Sequence, residues 1–355
     1  MPPSLEQSPE NLTKRLVSLD GLRAIAILAV VAGHLVGTPD YPVRDVTPRV
    51  FAMAHMGVQV FFVLSGYLIT TILMGAQERR RPSILTFIRR RGYRILPAYL
   101  FYLGVLVVLR SIGLNHIQWG DFLAPVIYLS NVFPPQSWLL VHTWSLSVEE
   151  QFYVVWPILI KTLSRRLLII SAAMFVVVPS ILQIVGHRIF RFQHLEEFLP
   201  TSAAVIATGC LSALARRRPS VRAKIAQIMS SQSRQVLVGL VPIAAIALPE
   251  FPTWTALLRG PVSNIAIAAT ISGLVDHPSS ILTKLLSGRL ICGLGAISYS
   301  VYLWQQIFLD RYANVSINHF PGNVIMSVCV ALVSYNFVER PFLRLRDRAM
   351  PPTTN

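Results

Sequence analysis

Residues 18–35 read SLDGLRAIAILAVVAGHL. The run is apolar enough to cross a membrane, yet it carries Arg23 near its start and His34 near its end. Both side chains are costly in hydrocarbon, so by default they mark a bundle interior or a watered cavity with a function. Eleven positions separate them. At 100° per residue that is three turns plus about 20°, so they project from one helix face. Their axial separation is roughly 16 Å, about half a bilayer core. The plainer alternative is that Arg23 snorkels to headgroups while His34 caps a helix end.

The rest of the chain extends this pattern. Of its 355 residues 53% are hydrophobic and only 14% charged. Soluble domains carry roughly 25% charged residues, so this composition points to an all-α polytopic transmembrane helical bundle. Ten segments supply the roughly 20 apolar residues that one crossing needs. They lie at about 18–37, 54–75, 94–112, 144–161, 167–185, 198–215, 235–250, 258–275, 290–309 and 321–339. FLAPVIYLSNVF (122–133) is too short and reads as a re-entrant or interfacial piece. The net charge of +16 is not a nucleic-acid signature, because the basic residues fall in clusters between apolar runs. With a cytoplasmic N-terminus and ten spans, 24 of the 32 basic residues share one side and seven the other. Both termini are therefore expected in the cytoplasm. Residues 1–17 and 341–355 become short tails around one membrane domain, 18–340. The first apolar run lacks a small-residue cleavage site and leads into more spans, so it is not read as a cleavable signal. Cys210, Cys292 and Cys329 lie in or beside apolar runs without metal spacing and read as packing residues, with no metal expected.

Two further stretches concentrate polar residues. In HTWSLSVEEQFYVVWP (142–157), Glu149 and Glu150 open the fourth expected span at its outer end, at the depth of His34. They could cap a helix N-terminus. Followed by Gln151 and Tyr153, they could instead orient an imidazole and raise its basicity for general-base work. In ERRRPSILTFIRRRGYRILPAY (78–99), seven arginines fall between 79 and 94. Such a run can mark the cytoplasmic side and contact lipid headgroups. Arg91 and Arg94, three apart on one face, also suit a ligand with several phosphates. Two lesser features are Ser65-Gly66 in FFVLSGYLIT (61–70) and SYSVYLWQQIF (298–308). Gly66 allows close helix packing. Tyr299, Tyr302 and Trp304 are either interface anchors or, with Ser298, contacts for a glycan in a polar cavity.

In order along the chain, these blocks resemble the integral-membrane acyltransferase family 3, the bacterial O-acyltransferases of O-antigen, exopolysaccharide and similar glycans. DGLRAIAILAVVAGH matches the opening Arg-x10-His motif through Arg23 and His34, and GVQVFFVLSGYLIT matches the second span. RRRGYRILPAY matches the Arg-x-x-Arg element through Arg91 and Arg94. YLSNVF with HTWSLSVEEQFYVVWP, then LGAISYSVYLWQQ and SYNFVERPF, complete the series. The resemblance covers nearly the whole chain. Two positions depart from it. Many members carry an acidic residue where Gln59 stands, and many read YLWHW where this chain has Gln305 and Gln306. Some members continue into an SGNH-type hydrolase domain. This sequence stops at Asn355, about fifteen residues after its last expected span, so no such domain is expected.

The resemblance implies an acyl-CoA donor, most often acetyl-CoA, and a sugar hydroxyl on a cell-surface or lipid-linked glycan as acceptor. It also implies a multi-pass place in the bacterial inner membrane, among membrane lipids. A separate periplasmic or glycan-assembly partner would serve any second step. The residues suggest a division by depth. Arg91 and Arg94, with Arg23 further in, would hold the donor phosphates at the cytoplasmic side. His34 would meet the thioester toward the outer side, as general base or acyl carrier, with Glu149 or Glu150 holding its ring. Asp20, Ser65, Tyr153, Ser298, Tyr299 and Tyr302 would line the substrate path. The acceptor pocket would draw on loops 38–53 and 186–197. A transporter of a glycan precursor or acyl donor is the alternative from another class, and a small secreted acceptor such as a macrolide is the alternative within this one.

Overall fold

The computed structural model describes residues 9–45, 47–78, 84–189, 199–247, 254–313 and 315–350. Arg79, Arg80, Arg81 and Arg191, much of loop 186–197, and parts of both tails lie outside the described residues. Among those described, the regular structure is helical. The long helices are α1 (Pro9–Leu35), α2 (Pro48–Glu78) and α3 (Ile84–Ser111). After short α4 (Leu123–Val126) and α5 (Trp138–Val141) come α6 (Thr143–Thr162), α7 (Arg165–Ile189) and α8 (Leu199–Ala215). Then follow α9 (Pro219–Ile228), α10 (Gln232–Ala247) and α11 (Trp254–Asp276). The chain closes with α12 (Ile281–Leu286), α13 (Arg289–Ala296), α14 (Ser298–Phe308), α15 (Gly322–Ser334), a π turn at Tyr335–Glu339 and α16 (Arg340–Ala349). The protein is an all-α membrane bundle. By length and composition, four helices among the described residues can cross a membrane: Val17–Leu35, Arg49–Gln77, Ile84–Ser111 and Gly322–Ala349.

Each expected span falls on helix, but one is not continuous. Segment 290–309 breaks at Ile297 into α13 and α14. Here the backbone of Asp20 occupies the space a side chain at Gly295 would need, 1.9 Å from its carbonyl oxygen. With Gly293 also weakening the helix, the chain bends around α1 rather than running past it. At eleven residues, α14 is roughly 16 Å long, about half a bilayer core.

The 122–133 segment is not a span either, since its only helix is the four-residue α4. One face of it, with Phe122, Ala124, Pro125, Ser130 and Asn131, packs inward between α3 and α6, while Leu123, Ile127 and Phe133 stay exposed. Irregular backbone at such depth must be satisfied internally. Tyr99 Oη donates to the Pro125 carbonyl at 2.9 Å, and Gln151 Nε2 to the Tyr128 carbonyl at 2.8 Å. The Ser147 hydroxyl accepts from the Ser130 amide at 3.2 Å.

Close backbone crossings hold the central helices. A Cβ at Gly66 would lie 1.9 Å from the Ile206 carbonyl oxygen, and one at Gly209 2.0 Å from that of Val63. Small residues at this α2–α8 crossing bring two helices into backbone contact, which favours dispersion packing where water supplies no hydrophobic drive. Nearby, Trp156 Nε1 donates to Thr70 Oγ1 at 2.9 Å inside the core. All three cysteines are free thiols: Cys210 is buried, Cys292 half-buried and Cys329 exposed.

Candidate active site

His34 stands in the last turn of α1 and lines a cavity of about 70 Å³ with His55, His142, Trp144, Tyr302 and Gln306. Its ring is held by a chain of amides. The Trp138 carbonyl oxygen can only accept, so Gln306 Nε2 donates to it at 2.8 Å. Gln306 Oε1 then accepts from Gln305 Nε2 at 3.0 Å. That leaves Gln305 Oε1 as an acceptor 3.0 Å from His34 Nδ1. In a neutral His34 the proton is therefore on Nδ1, and the Nε2 lone pair remains for the cavity. Trp138 closes one side of the ring edge-on, with centroids 5.3 Å apart, and its indole N–H donates back to the Gln306 carbonyl at 3.0 Å.

The imidazole partner expected from sequence was a carboxylate, and this is corrected. Glu149 and Glu150 do not hold His34. The residue of their segment that reaches its level is His142, because α6 begins at Thr143, inside the protein, and its first turn already borders the cavity. Seven residues further on, Glu149 is roughly 10 Å deeper along the helix. There it meets Arg91 of α3, with Nη2 3.0 Å from Glu149 Oε1. Arg91 Nε donates to Glu150 Oε1 at 2.8 Å, and the guanidinium lies 3.3 Å above the Tyr153 ring centroid. Ser65 of α2 donates to Glu149. One arginine thus binds two glutamates, one of them serine-bonded, and an aromatic face into one cluster.

Arg94 stands one turn beyond Arg91 on α3, within electrostatic reach of Arg23, Arg91, Asp20 and Glu339. Arg23 is paired with Asp20 one turn before it, and Ser300 donates to buried Glu339. This end of the bundle therefore gathers two arginines from different helices.

Other expected residues distribute between these centres. Tyr302 joins the His34 cavity and donates to the His142 carbonyl at 3.0 Å, with Ser145 Oγ at 2.5 Å. Tyr299 donates to the Ile95 carbonyl at 3.2 Å, and Ser298 is buried at the first turn of α14. Ser65 and Tyr153 belong to the Arg91 cluster, and Asp20 to the Arg23 end.

Sequence reasoning passed over Gln305 and Gln306 as places where a histidine was missing. It also quoted His142 only as the start of a motif. His142 is 3% exposed and both its ring nitrogens lack a hydrogen-bond partner, which makes it a second imidazole facing the same cavity. Its signal was present: a histidine preceding a helix whose first turns carry Ser145 and Ser147.

Comparison with known proteins identifies the family of the chain. Residues 16–337 match the family model described as an acyltransferase domain. The chain is 31% identical to the putative peptidoglycan O-acetyltransferase YrhL of Bacillus subtilis over 91% of its own length and 54% of that protein. It is 28% identical to the O-acetyltransferase OatA of Staphylococcus aureus, covering 92% of this chain and 57% of the relative. To the peptidoglycan O-acetyltransferase OatA of Listeria monocytogenes it is 29% identical, covering 92% and 56%. The chain thus spans just over half the length of these curated relatives. No solved structure matches. The transporter alternative is not favoured by these matches. From the family model across nearly its whole membrane domain, the chain belongs to the acyltransferase 3 family.

Proposed function

We propose that this protein transfers an acetyl group from acetyl-CoA to a hydroxyl of a cell-surface glycan, with His34 as the reacting base. The observation that carries this reading is the amide chain from Trp138 through Gln306 and Gln305, which keeps the Nδ1 proton in place and Nε2 open. A neutral imidazole with one committed nitrogen is the form a general base needs. In the step we favour, Nε2 takes the proton of the sugar hydroxyl as its oxygen attacks the thioester carbonyl. The tetrahedral intermediate collapses, the C–S bond breaks, and the His34 proton passes to the departing thiolate. The same open Nε2 would serve an acyl-His34 intermediate, in which it attacks the carbonyl itself and later yields the acetyl group to the acceptor.

The donor phosphates are assigned to Arg94 and Arg23. Two cations that approach each other inside a membrane protein gain most from an anion between them. Arg91 serves this reading indirectly, because its guanidinium is ion-paired with Glu149 and Glu150. The relatives named as peptidoglycan O-acetyltransferases support a glycan acceptor of that kind. Donor from the cytoplasmic side and acceptor from the outer side of a bacterial inner membrane is the sidedness that the positive-inside distribution supports.

Thiol release tests the reading. Protein purified into nanodiscs, given acetyl-CoA and a peptidoglycan-type oligosaccharide, is expected to liberate free CoA and add one acetyl mass to the glycan. Label movement across a vesicle without thiol release would replace this reading with transport.

A further inference from the structure

His142 takes no part in the proton transfer proposed for His34, yet it belongs to the same pocket. It stands between α5 and α6 and lines the cavity of about 70 Å³ with His34, which is within its electrostatic reach. Its backbone and ring are held in place while its nitrogens are left free. The His142 carbonyl accepts from Tyr302 Oη at 3.0 Å. The ring packs edge-on against Tyr102, with centroids 5.5 Å apart, and tilted against Tyr302 at 5.4 Å. The residue is 3% exposed, and neither Nδ1 nor Nε2 has a hydrogen-bond partner.

A buried imidazole with both nitrogens unpaired costs free energy, which a polar occupant of the cavity would recover. The volume suits about two water molecules, or a carbonyl group together with the hydroxyl that attacks it. A neutral imidazole offers one N–H and one lone pair. His34 is held in one tautomer by Gln305 and keeps its lone pair for the cavity. No partner fixes the tautomer of His142, so this ring is free to present its N–H. The other buried polar side chains on the wall are engaged, Tyr302 by the His142 carbonyl and Gln306 by Trp138 and Gln305. Among the described residues, His142 is thus the buried donor left for a reacting group.

We infer that His142 donates its N–H to the thioester oxygen as that oxygen becomes an oxyanion. The inference rests on the acetyl-transfer reading. The attacking hydroxyl needs an acceptor for its proton, which His34 Nε2 supplies. The carbonyl oxygen needs a donor, which His34 in that tautomer cannot be. As the hydroxyl oxygen bonds to the carbonyl carbon, the C=O π pair moves onto oxygen and the His142 hydrogen bond shortens without transferring its proton. When the C=O bond re-forms, the C–S pair leaves with sulfur and the proton held by His34 follows it. A neutral donor stabilises the developing charge without adding a second charge to the membrane interior.

The experiment uses the full chain in nanodiscs with acetyl-CoA and a peptidoglycan-type oligosaccharide. Thiol release, acetyl-CoA binding and thermal unfolding are measured for the parent, H142L, H142N and H142Q. H142L keeps apolar packing between Tyr102 and Tyr302 and removes the donor. It is expected to lower kcat by about 10²-fold to 10³-fold while the Kd for acetyl-CoA changes less than about twofold, because the bond is made in the transition state. Asn and Gln place an amide N–H near the positions of Nδ1 and Nε2 respectively. The one that matches the nitrogen facing the acyl oxygen is expected to recover at least about tenfold of the lost kcat. Neither amide takes up a proton at working pH, so recovery marks a donor and not a second base. Unchanged kcat in H142L would overturn the inference. So would folded H142N and H142Q that both stay as inactive as H34A, a comparison that holds even if H142L does not fold. A parent protein that binds acetyl-CoA and releases no thiol would instead overturn the acetyl-transfer reading, and this role with it.

Discussion

The two ends of the polar interior are built on opposite principles. Around His34 the partners are neutral: two glutamines, a tryptophan carbonyl, a second histidine and a tyrosine. Around Arg91 and Arg94 they are charged, with Glu149, Glu150, Asp20, Arg23 and Glu339 from three other helical segments. Neutral amides fix a ring's tautomer without adding a charge to solvate in a membrane. Charged partners cancel each other, and they tie helices together because none can be removed cheaply. In the proposed reading, chemistry belongs to the end where a proton can move, and anion binding to the end where charges are fixed.

That contrast can be broken at its strongest point first. His34→Ala should abolish thiol release, lowering kcat by about 10²-fold to 10⁴-fold, while the protein still inserts and still binds acetyl-CoA. An active H34A enzyme would move the reaction elsewhere in the cavity, with His142 the first residue to examine. At the charged end, Arg91→Ala should act on stability. It strands two half-buried glutamates and should cost up to about 3–5 kcal/mol, read as a lowered unfolding temperature in detergent, with Arg91→Lys losing less. If R91A is as stable as the parent and only the KM for acetyl-CoA rises, Arg91 contacts donor after all.

Two smaller effects sharpen the comparison. Gln305→Leu removes the acceptor that holds the Nδ1 proton, so kcat should fall about 10-fold to 100-fold at unchanged KM for acetyl-CoA. Gln305→Glu should recover part of that loss, since a carboxylate also accepts from Nδ1. Arg94→Gln should raise the KM for acetyl-CoA about tenfold with little change in kcat, as expected from losing one charge-assisted contact. An unchanged KM would place the donor phosphates away from the Arg23 end.

Much of the fold was legible in the chain because apolar length is a local property. Among the described residues, each of the ten segments found by hydropathy lies mainly on helix, and the short 122–133 run carries no long helix. The break at Ile297 was not legible. It depends on the Asp20 backbone seating itself against Gly295, a contact made across more than 270 positions of sequence. The candidate site was half legible. The costly residues could be singled out one helix at a time, since an arginine or glutamate in a membrane span needs a reason wherever it faces. Their partners could not. Placing Glu149 beside His34 assumed that the fourth span starts at the membrane surface, whereas α6 starts inside the protein and carries its glutamates down to Arg91.

By itself, then, the sequence determined the membrane class, the positions of the helices, the shared face of Arg23 and His34, and the family. These follow from composition, from the helical period and from motif order, which no neighbouring helix can alter. The tertiary structure alone decided that His34 pairs with Gln305 and that Glu149 and Glu150 pair with Arg91. It alone decided that a mostly apolar cavity shares His55, Val58 and Trp144 with the pocket of that histidine. The reason is one of register. Spacing along a helix determines which residues share a face, but the depth at which one helix starts against another is set by packing, and that depth chooses the partners.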